Sequence, residues 1–211
     1  LGGHLKVFDY MRHVASSGLY EPVLWLAAGS TLDPPPTLLP PRCRIVSEPV
    51  RPEAYFVAGM NWRTLDDAGI DPARKPVVNL VQGLRHAWAG DPRREFLGRR
   101  ALRICVSDAV AAAIADTNEV NGPIVTIPNG IDAAAVAAHA ADVRGERIFV
   151  AGTKDATLAR DTAARLRDEG CEVDLATDLV SRESFLSRMG SCAVAVLLPQ
   201  QQPSNNPKTC F

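Results

Sequence analysis

The chain has 211 residues, of which 46% are hydrophobic, so it is long enough to bury one full core and part of a second. Its 23 basic and 24 acidic residues nearly balance, and the net charge of −1 excludes a strong overall field that would recruit nucleic acid or an anionic membrane surface. No apolar run approaches the roughly 20 residues that a membrane span needs. These features predict a cytoplasmic, soluble protein without an integral membrane segment.

The five cysteines form no Cys-x-x-Cys pair, and their odd number favours a reducing compartment over a disulfide framework. Cys105, Cys171 and Cys192 lie in or beside apolar runs, where a free thiol acts as a small core residue. Frequent Ala and Arg are typical of a bacterial protein.

The first predicted element is a helix over residues 5–15. Leu5, Phe8, Met11 and Ala15 share one face at helical spacing. Gly2-Gly3 precedes this run and predicts a tight turn in which a ligand can approach the backbone, with His4 beside it. A strand normally comes before such a turn, so the chain is expected to lack its true beginning.

Short apolar runs predict buried parallel strands at 21–28, 44–47, 54–58 and 76–82. A short helix is expected over 61–68, and Asp91-Pro92 predicts a second helix that reaches about Arg100. The arginines between Arg93 and Arg103 are interpreted as the solvated face of that helix. His86 follows the end of a predicted strand and is a candidate for a binding cleft.

Two strand–helix units follow. The apolar run 103–106 leads to Ser107, which can cap a helix over 108–116, and the run 123–128 leads to Asp132, which can cap a helix over 133–141. In an open parallel sheet such helix N-termini meet at the carboxyl edge of the strands, where ligands bind and anions are favoured.

Strands and helices also alternate in the last third of the chain. Strands are predicted at 147–152, 171–176 and 192–198, and helices at 155–169 and 181–189. Strict alternation predicts an α/β fold with parallel sheets. The expected architecture is two Rossmann-like domains, at 1–142 and 143–211, with the second incomplete and ending in an irregular tail over 199–211.

Four features in this order resemble the GT-B glycosyltransferases, specifically the retaining, family-4-like enzymes that use nucleotide-sugar donors. They are the Gly2-Gly3 pair, Val106-Ser107 before an Ala-rich helix, the segment Ile127-Pro-Asn-Gly-Ile-Asp132, and the run Ile148-Phe-Val-Ala-Gly152 that opens the second half. The resemblance extends along nearly the whole chain and implies a GT-B arrangement of the two domains.

The resemblance implies transfer of a sugar from a nucleoside-diphosphate donor to a glycan or small-molecule acceptor, without a metal or a cofactor. It assigns donor binding to Gly152, Thr153 and Lys154 in the second domain. In the first domain it assigns an acceptor or phosphate loop to Gly2, Gly3 and His4. Residues expected to line the cleft are Gln82, Arg85, Ser107, Asn129 and Gly130.

Three positions depart from the family pattern. Gly152-Thr153-Lys154 lacks the arginine that usually follows this glycine, and Gln82 stands where many members have a histidine. No glutamate follows Glu183, although the family holds the donor with two glutamates eight positions apart. The expected transferase activity is therefore impaired or absent in this chain, and the catalytic residues stay unassigned.

Structural explanations compete with these functional ones. Asn129-Gly130 suits a plain turn, and Ser107 suits a helix cap. Glu172 and Asp174 lie on one face of a short strand, which is expected to be half-exposed rather than metal-binding. A non-catalytic α/β binding or interaction module is the alternative function, whereas a dinucleotide-dependent oxidoreductase is disfavoured because Gly-x-Gly-x-x-Gly is absent.

Overall fold

The computed structural model describes residues 2–30, 38–130, 137–138, 145–153, 155–178 and 180–198, and it describes their side chains except at 2–5 and 182. The chain divides into two compact units, Leu1–Asn129 (unit 1) and Gly130–Phe211 (unit 2). All paired strands in both units are parallel among the described residues. The prediction of an α/β fold with parallel sheets is confirmed.

Unit 1 contains a four-stranded sheet and a separate pair of strands. The four strands follow one another in space as they do in sequence, β3–β4–β5–β6, and among the described residues β1 pairs with β2 alone. The strands are β1 (Val23–Trp25), β2 (Arg44–Val46), β3 (Tyr55–Ala58), β4 (Val77–Val81), β5 (Leu102–Cys105) and β6 (Ile124–Thr126). The helices are α1 (Gly2–Ser16), α2 (Trp62–Asp67) and α3 (Asp108–Ala115).

The apolar strand residues pack into two clusters in unit 1. In one cluster, Tyr55 and Val57 of β3 pack with Trp62 and Leu65 of α2. In the other, Val81 and Cys105 at the ends of β4 and β5 pack with apolar residues of α3. Asn79, in the middle of β4, is buried and donates its Nδ2 hydrogen to the Val57 carbonyl at 3.2 Å, which satisfies one polar group inside the sheet.

The helix predicted from Asp91 to about Arg100 is wrong. Only one 3-10 turn forms there, at Arg94–Phe96. The Arg103 guanidinium, fully buried in the sheet, donates from Nη2 to the carbonyls of residues Phe96, Leu97 and Arg99 at 2.6–3.0 Å. Those carbonyls therefore bind a side chain instead of a regular α-helical ladder, and the interpretation of this arginine cluster as a solvated helix face is also wrong.

The predicted Gly2-Gly3 turn is wrong as well, because α1 begins at Gly2 and includes both glycines. The first turn of a helix leaves its N–H groups without intrahelical partners, so glycine costs less there than in a helix interior. Both glycines are thus helical and do not form a loop before α1.

Unit 2 contains a three-stranded sheet in the order β8–β7–β9. Its elements are β7 (Gly145–Ala151), α4 (Ala156–Asp168), β8 (Val173–Ala176), α5 (Arg182–Gly190) and β9 (Cys192–Leu197). Asp155 and Ser181 cap the two helices, accepting from the backbone N–H groups three residues later at 3.0 and 3.1 Å. The predicted cap at Asp132 and the tail 199–211 lie outside the described residues.

A buried cysteine lies in the core of each unit, Cys105 in unit 1 and Cys192 in unit 2, as the apolar runs predicted. Burial raises the pKa of the Cys105 thiol to about 11. Cys171 is only partly buried, and Cys210 lies outside the described residues. Nowhere in the described ranges is there a helix both long and apolar enough to cross a bilayer.

Candidate anion-binding cavity

The strands of the four-stranded sheet end at one edge in unit 1. The register pairs Ala58 with Leu80, Val81 with Cys105, and Cys105 with Thr126. Because the strands are parallel, the loops that follow them emerge together at their carboxyl edge. This is the edge at which open α/β sheets bind ligands.

A cavity of about 320 Å³ opens at this edge. We call it the basic cavity, and it is lined by Gly59, Leu80, Gln82, Gly83, Arg85, His86 and Arg93. The lining combines two guanidinium groups, one imidazole and one amide with two glycines that follow strand ends. Such a lining can donate several hydrogen bonds to an anionic or hydroxyl-rich ligand.

Asp91 holds the two arginines of the basic cavity. Its Oδ2 lies 3.0 Å from Arg85 Nε, and both of its carboxylate oxygens lie 3.0 Å from Arg93 Nη1. Burial opposes ionisation of this carboxyl group, but the hydrogen bonds from the Arg93 backbone and side chain and the charges of both arginines outweigh burial and keep the pKa of Asp91 below its usual value. Two cations against one carboxylate leave the trio with one net positive charge.

His86 is the neutral member of the cavity. His86 is buried, with only 6% of the residue exposed. Burial, reinforced by the nearby positive charge of Arg93, lowers the pKa of His86 to about 4, although Asp91 acts in the opposite direction. At neutral pH the imidazole is therefore uncharged and can both donate and accept a hydrogen bond.

The residues predicted to line a cleft separate into two groups. Gln82 and Arg85 line the basic cavity, and His86 lies beside them. Ser107 follows β5 at the same edge, but its Oγ accepts from the Val110 N–H at 3.3 Å and caps α3, as a structural role requires. Asn129 is exposed at the end of unit 1.

The remaining cleft residue, Gly130, is exposed and belongs to unit 2. Gly2, Gly3 and His4 form the start of α1, where their side chains lie outside the described part of the chain. These four residues are consequently not assigned to the basic cavity.

In unit 2, the glycine predicted to bind the donor has a packing role. A Cβ atom on Gly152 would lie 2.6 Å from the Ala159 Cβ of α4 and 3.0 Å from the Asp155 carbonyl oxygen. Glycine at 152 therefore allows α4 to approach β7 closely. Thr153 is exposed, and Lys154 lies outside the described residues.

The start of α4 also carries negative charge. The Asp155 side chain accepts from the Leu158 N–H at 3.0 Å and is the N-cap of the helix. A carboxylate at this position satisfies a backbone donor that an anionic ligand would otherwise use.

The two acidic residues of the strand that follows α4 form ion pairs with arginines. Glu172 pairs with Arg147, and Asp174 Oδ2 accepts a hydrogen bond from Arg188 Nε at 3.1 Å.

Sequence reasoning misses Arg93, Asp91 and the two cavity glycines, Gly59 and Gly83. It places Arg93 on a solvated helix face and uses Asp91 only to predict the start of that helix. The sequence does contain one signal. Arg85, Asp91 and Arg93 lie close together after a strand end, a spacing that allows ion pairs between them within one loop. Without the fold, the same spacing suits a helix equally well.

Within the described ranges, no three His, Cys, Asp or Glu side chains come together in a group that would hold a metal ion. Comparisons with protein-family models, with curated proteins and with solved structures give no match. The chemistry of the basic cavity is therefore the main guide to function.

Proposed function

We propose that this chain belongs to a nucleotide-sugar-dependent glycosyltransferase and that the basic cavity of unit 1 binds its acceptor. The observation that carries the proposal is the pair Arg85 and Arg93, held on a shared carboxylate at the carboxyl edge of a parallel sheet. The resemblance of the sequence to GT-B enzymes supports the reaction class and an acceptor site in the first domain.

The charge of the cavity narrows the acceptor class. A net positive charge beside a neutral imidazole favours an acceptor that carries a phosphate or a carboxylate together with hydroxyl groups. Arg93 is the better-shielded of the two cations, since its side chain is 28% exposed and that of Arg85 is 58% exposed. Arg93 is therefore expected to contribute more to binding, because a partly desolvated cation is screened less by water and salt.

The neutral His86 would orient the acceptor for transfer. An uncharged imidazole can accept a hydrogen bond from a hydroxyl group, although a pKa of about 4 makes it a weak base at neutral pH. In this proposal the arginines position the anionic end of the acceptor, while His86 orients its nucleophilic hydroxyl group.

Calorimetry with a matched pair of sugars tests the acceptor site. Glucose 6-phosphate is expected to bind and glucose is expected to give no heat, because only the former carries the anionic group that the arginines recognise. Arg93→Gln should weaken binding of glucose 6-phosphate by at least about tenfold, the usual scale for one lost charge-assisted hydrogen bond. Higher salt should weaken it further.

Arg74→Gln is the control. Arg74 lies in the 3-10 turn before β4, at the opposite edge of the sheet, and its side chain is 85% exposed. This variant removes the same charge and should leave binding unchanged. Equal binding of both sugars, or equal losses in the two variants, would contradict the proposed acceptor site.

A non-catalytic binding module is the second candidate, and the start of α4 favours it. Packing accounts for Gly152, and Asp155 places a carboxylate where donor phosphates are expected. Incubation with uridine and guanosine diphosphate sugars, followed by chromatography of the released nucleotide, separates the two functions. Nucleotide release that depends on an acceptor supports transfer. Binding of a nucleotide sugar without release, measured by calorimetry, supports the impaired transferase that the missing glutamates imply. Binding of glucose 6-phosphate without binding of any nucleotide sugar supports the module.

A further inference from the structure

The arginines of the basic cavity have more hydrogen-bond donors than the protein itself uses. Asp91 accepts from Arg85 Nε and from Arg93 Nη1. Within the part of the chain that the structure describes, the Nη groups of Arg85 and the Nε and Nη2 groups of Arg93 have no hydrogen-bond partner. Two of the three nitrogens of each guanidinium group therefore remain available to a ligand.

The two glycines of the cavity add backbone donors. Gly59 and Gly83 both line it, and each follows the end of a strand. Among the described residues, neither N–H group donates a hydrogen bond to the protein. A Cβ atom on either glycine would have no contact within 4 Å beyond its chain neighbours, so a ligand can approach both backbones closely.

Both guanidinium groups are held at one point. Arg85 Nε and Arg93 Nη1 each lie 3.0 Å from the same oxygen of Asp91, so these nitrogens are no farther apart than twice that distance. Trp88 also fixes Arg85, whose Cζ lies 5.9 Å from the centre of the indole ring. A guanidinium group that stacks on a ring keeps its in-plane N–H groups for other partners. The two cations are thus close enough for one anion to contact both.

The number of donors distinguishes between classes of anion. Four guanidinium nitrogens and two backbone N–H groups are available, whereas a carboxylate offers about four lone-pair sites on two oxygens. A phosphate monoester offers three oxygens and a charge of about −1.5 to −2 at neutral pH. The volume limits the size of the ligand, because about 320 Å³ lies at the lower end of the range for small-molecule sites.

We propose that the basic cavity selects the phosphate monoester of a monosaccharide-sized acceptor over a sugar acid of the same size. The phosphate group bridges Arg85 and Arg93 and accepts from the N–H groups of Gly59 and Gly83, while the sugar hydroxyl groups lie towards His86. This inference rests on the proposed acceptor site and narrows its ligand from anions in general to one class.

Calorimetry at constant ionic strength tests the selection with glucose 6-phosphate, glucose 6-sulfate, glucuronate and glucose. Glucose 6-phosphate should bind at least about tenfold more tightly than glucuronate, because it can accept from more of the available donors. Glucose 6-sulfate should lie between them, since it has three terminal oxygens but a single charge. Inorganic phosphate should bind more weakly than glucose 6-phosphate, because it lacks the sugar hydroxyl groups.

The pH dependence separates the charge of the ligand from its shape. A phosphate monoester loses its second charge as the pH falls through about 6. Binding of glucose 6-phosphate should therefore weaken between about pH 7.5 and about pH 5, whereas binding of glucose 6-sulfate should stay constant. His86 remains mostly neutral over this range, because its pKa is about 4. Equal responses of the two esters would contradict selection of a dianion.

Arg85→Lys keeps the charge of the cavity and removes the planar pair of Nη groups. It should reduce the preference for glucose 6-phosphate over glucuronate at least about threefold. Arg74→Lys, in the exposed turn before β4, is the matched control and should preserve the preference.

The outcomes separate this inference from the proposed function. If glucuronate or inorganic phosphate binds as tightly as glucose 6-phosphate, selection of a sugar phosphate is overturned, although an anion site remains. If glucose binds as tightly as glucose 6-phosphate, or if neither binds, the proposed acceptor site itself is overturned.

Discussion

Arg103 shows how one side chain sets the local structure of unit 1. It is fully buried, its Nη2 group binds three backbone carbonyls, and its guanidinium lies 5.8 Å from the centre of the Trp62 ring. Its Nε and Nη1 atoms lack a hydrogen-bond partner within the described part of the chain. Burial lowers the pKa of Arg103 to about 10, which still leaves the side chain charged at neutral pH.

Replacement of this side chain should destabilise unit 1. We expect Arg103→Ala to lower the free energy of unfolding by about 3 kcal/mol, since it creates a cavity and leaves the Arg99 carbonyl without its side-chain donor. Tryptophan fluorescence during urea unfolding measures this, because all three tryptophans belong to unit 1. Arg100→Ala, at an exposed neighbour, should change the free energy by less than about 0.5 kcal/mol.

His86 makes unit 1 sensitive to acid. Its pKa is about 4 in the folded chain, against an ordinary value of 6.5 that it regains on unfolding. The unfolded chain therefore binds more protons between these values, and the stabilisation from neutral His86 is complete above pH 6.5 and lost as the pH falls towards 4. The loss can reach about 3 kcal/mol across that window.

Urea unfolding followed by tryptophan fluorescence at about pH 7 and about pH 5 measures this dependence. His86→Gln should flatten the response, whereas His13→Gln, at an exposed position of α1, should preserve it. The comparison stays above the range in which Asp66, Asp91 and Glu119 titrate, because their pKa values are lowered. If the free energy of unfolding of His86→Gln changes with pH as much as that of the parent chain, His86 is not the group responsible.

At the scale of the elements, the packing of α4 on β7 depends on the glycine at position 152. Gly152→Ala should destabilise unit 2 by about 1–3 kcal/mol, because the new methyl group overlaps Ala159 and α4 must move away from β7. Far-UV circular dichroism should show earlier unfolding of part of the helix signal, while tryptophan fluorescence from unit 1 stays unchanged.

Gly145→Ala provides the matched control for α4. It changes the same residue type at the start of β7, the strand that Gly152 follows, but the nearest atom to its new Cβ lies 3.7 Å away, at ordinary contact distance. This variant should unfold like the parent chain. If the two glycine variants unfold alike, close packing does not explain Gly152.

At the scale of the whole molecule, the sequence predicts most of the described regular elements but only part of the basic cavity. Apolar runs and caps such as Ser107 and Ser181 act locally, so they predict the strands and most helices correctly. The loop between β4 and β5 depends on a long side chain, Arg103, that reaches back to carbonyls four to seven residues earlier. Local propensity carries no information about such a contact.

The candidate site is predictable only in part for the same reason. Gln82, Arg85 and His86 closely follow a strand, so their place at the carboxyl edge of the sheet can be predicted. Arg93 joins the cavity through Asp91, which depends on how the loop folds back. The roles proposed for Gly152, Thr153 and Lys154 rest on the family resemblance alone.

Chemical labelling of the two buried cysteines can report the opening of each unit. Cys105 and Cys192 lie in different cores, and neither thiol is accessible until its own core opens. A pulse of maleimide followed by peptide mass analysis would therefore time the opening of each half separately, in one tube and without any mutation. Unequal labelling rates would show that the two units open separately.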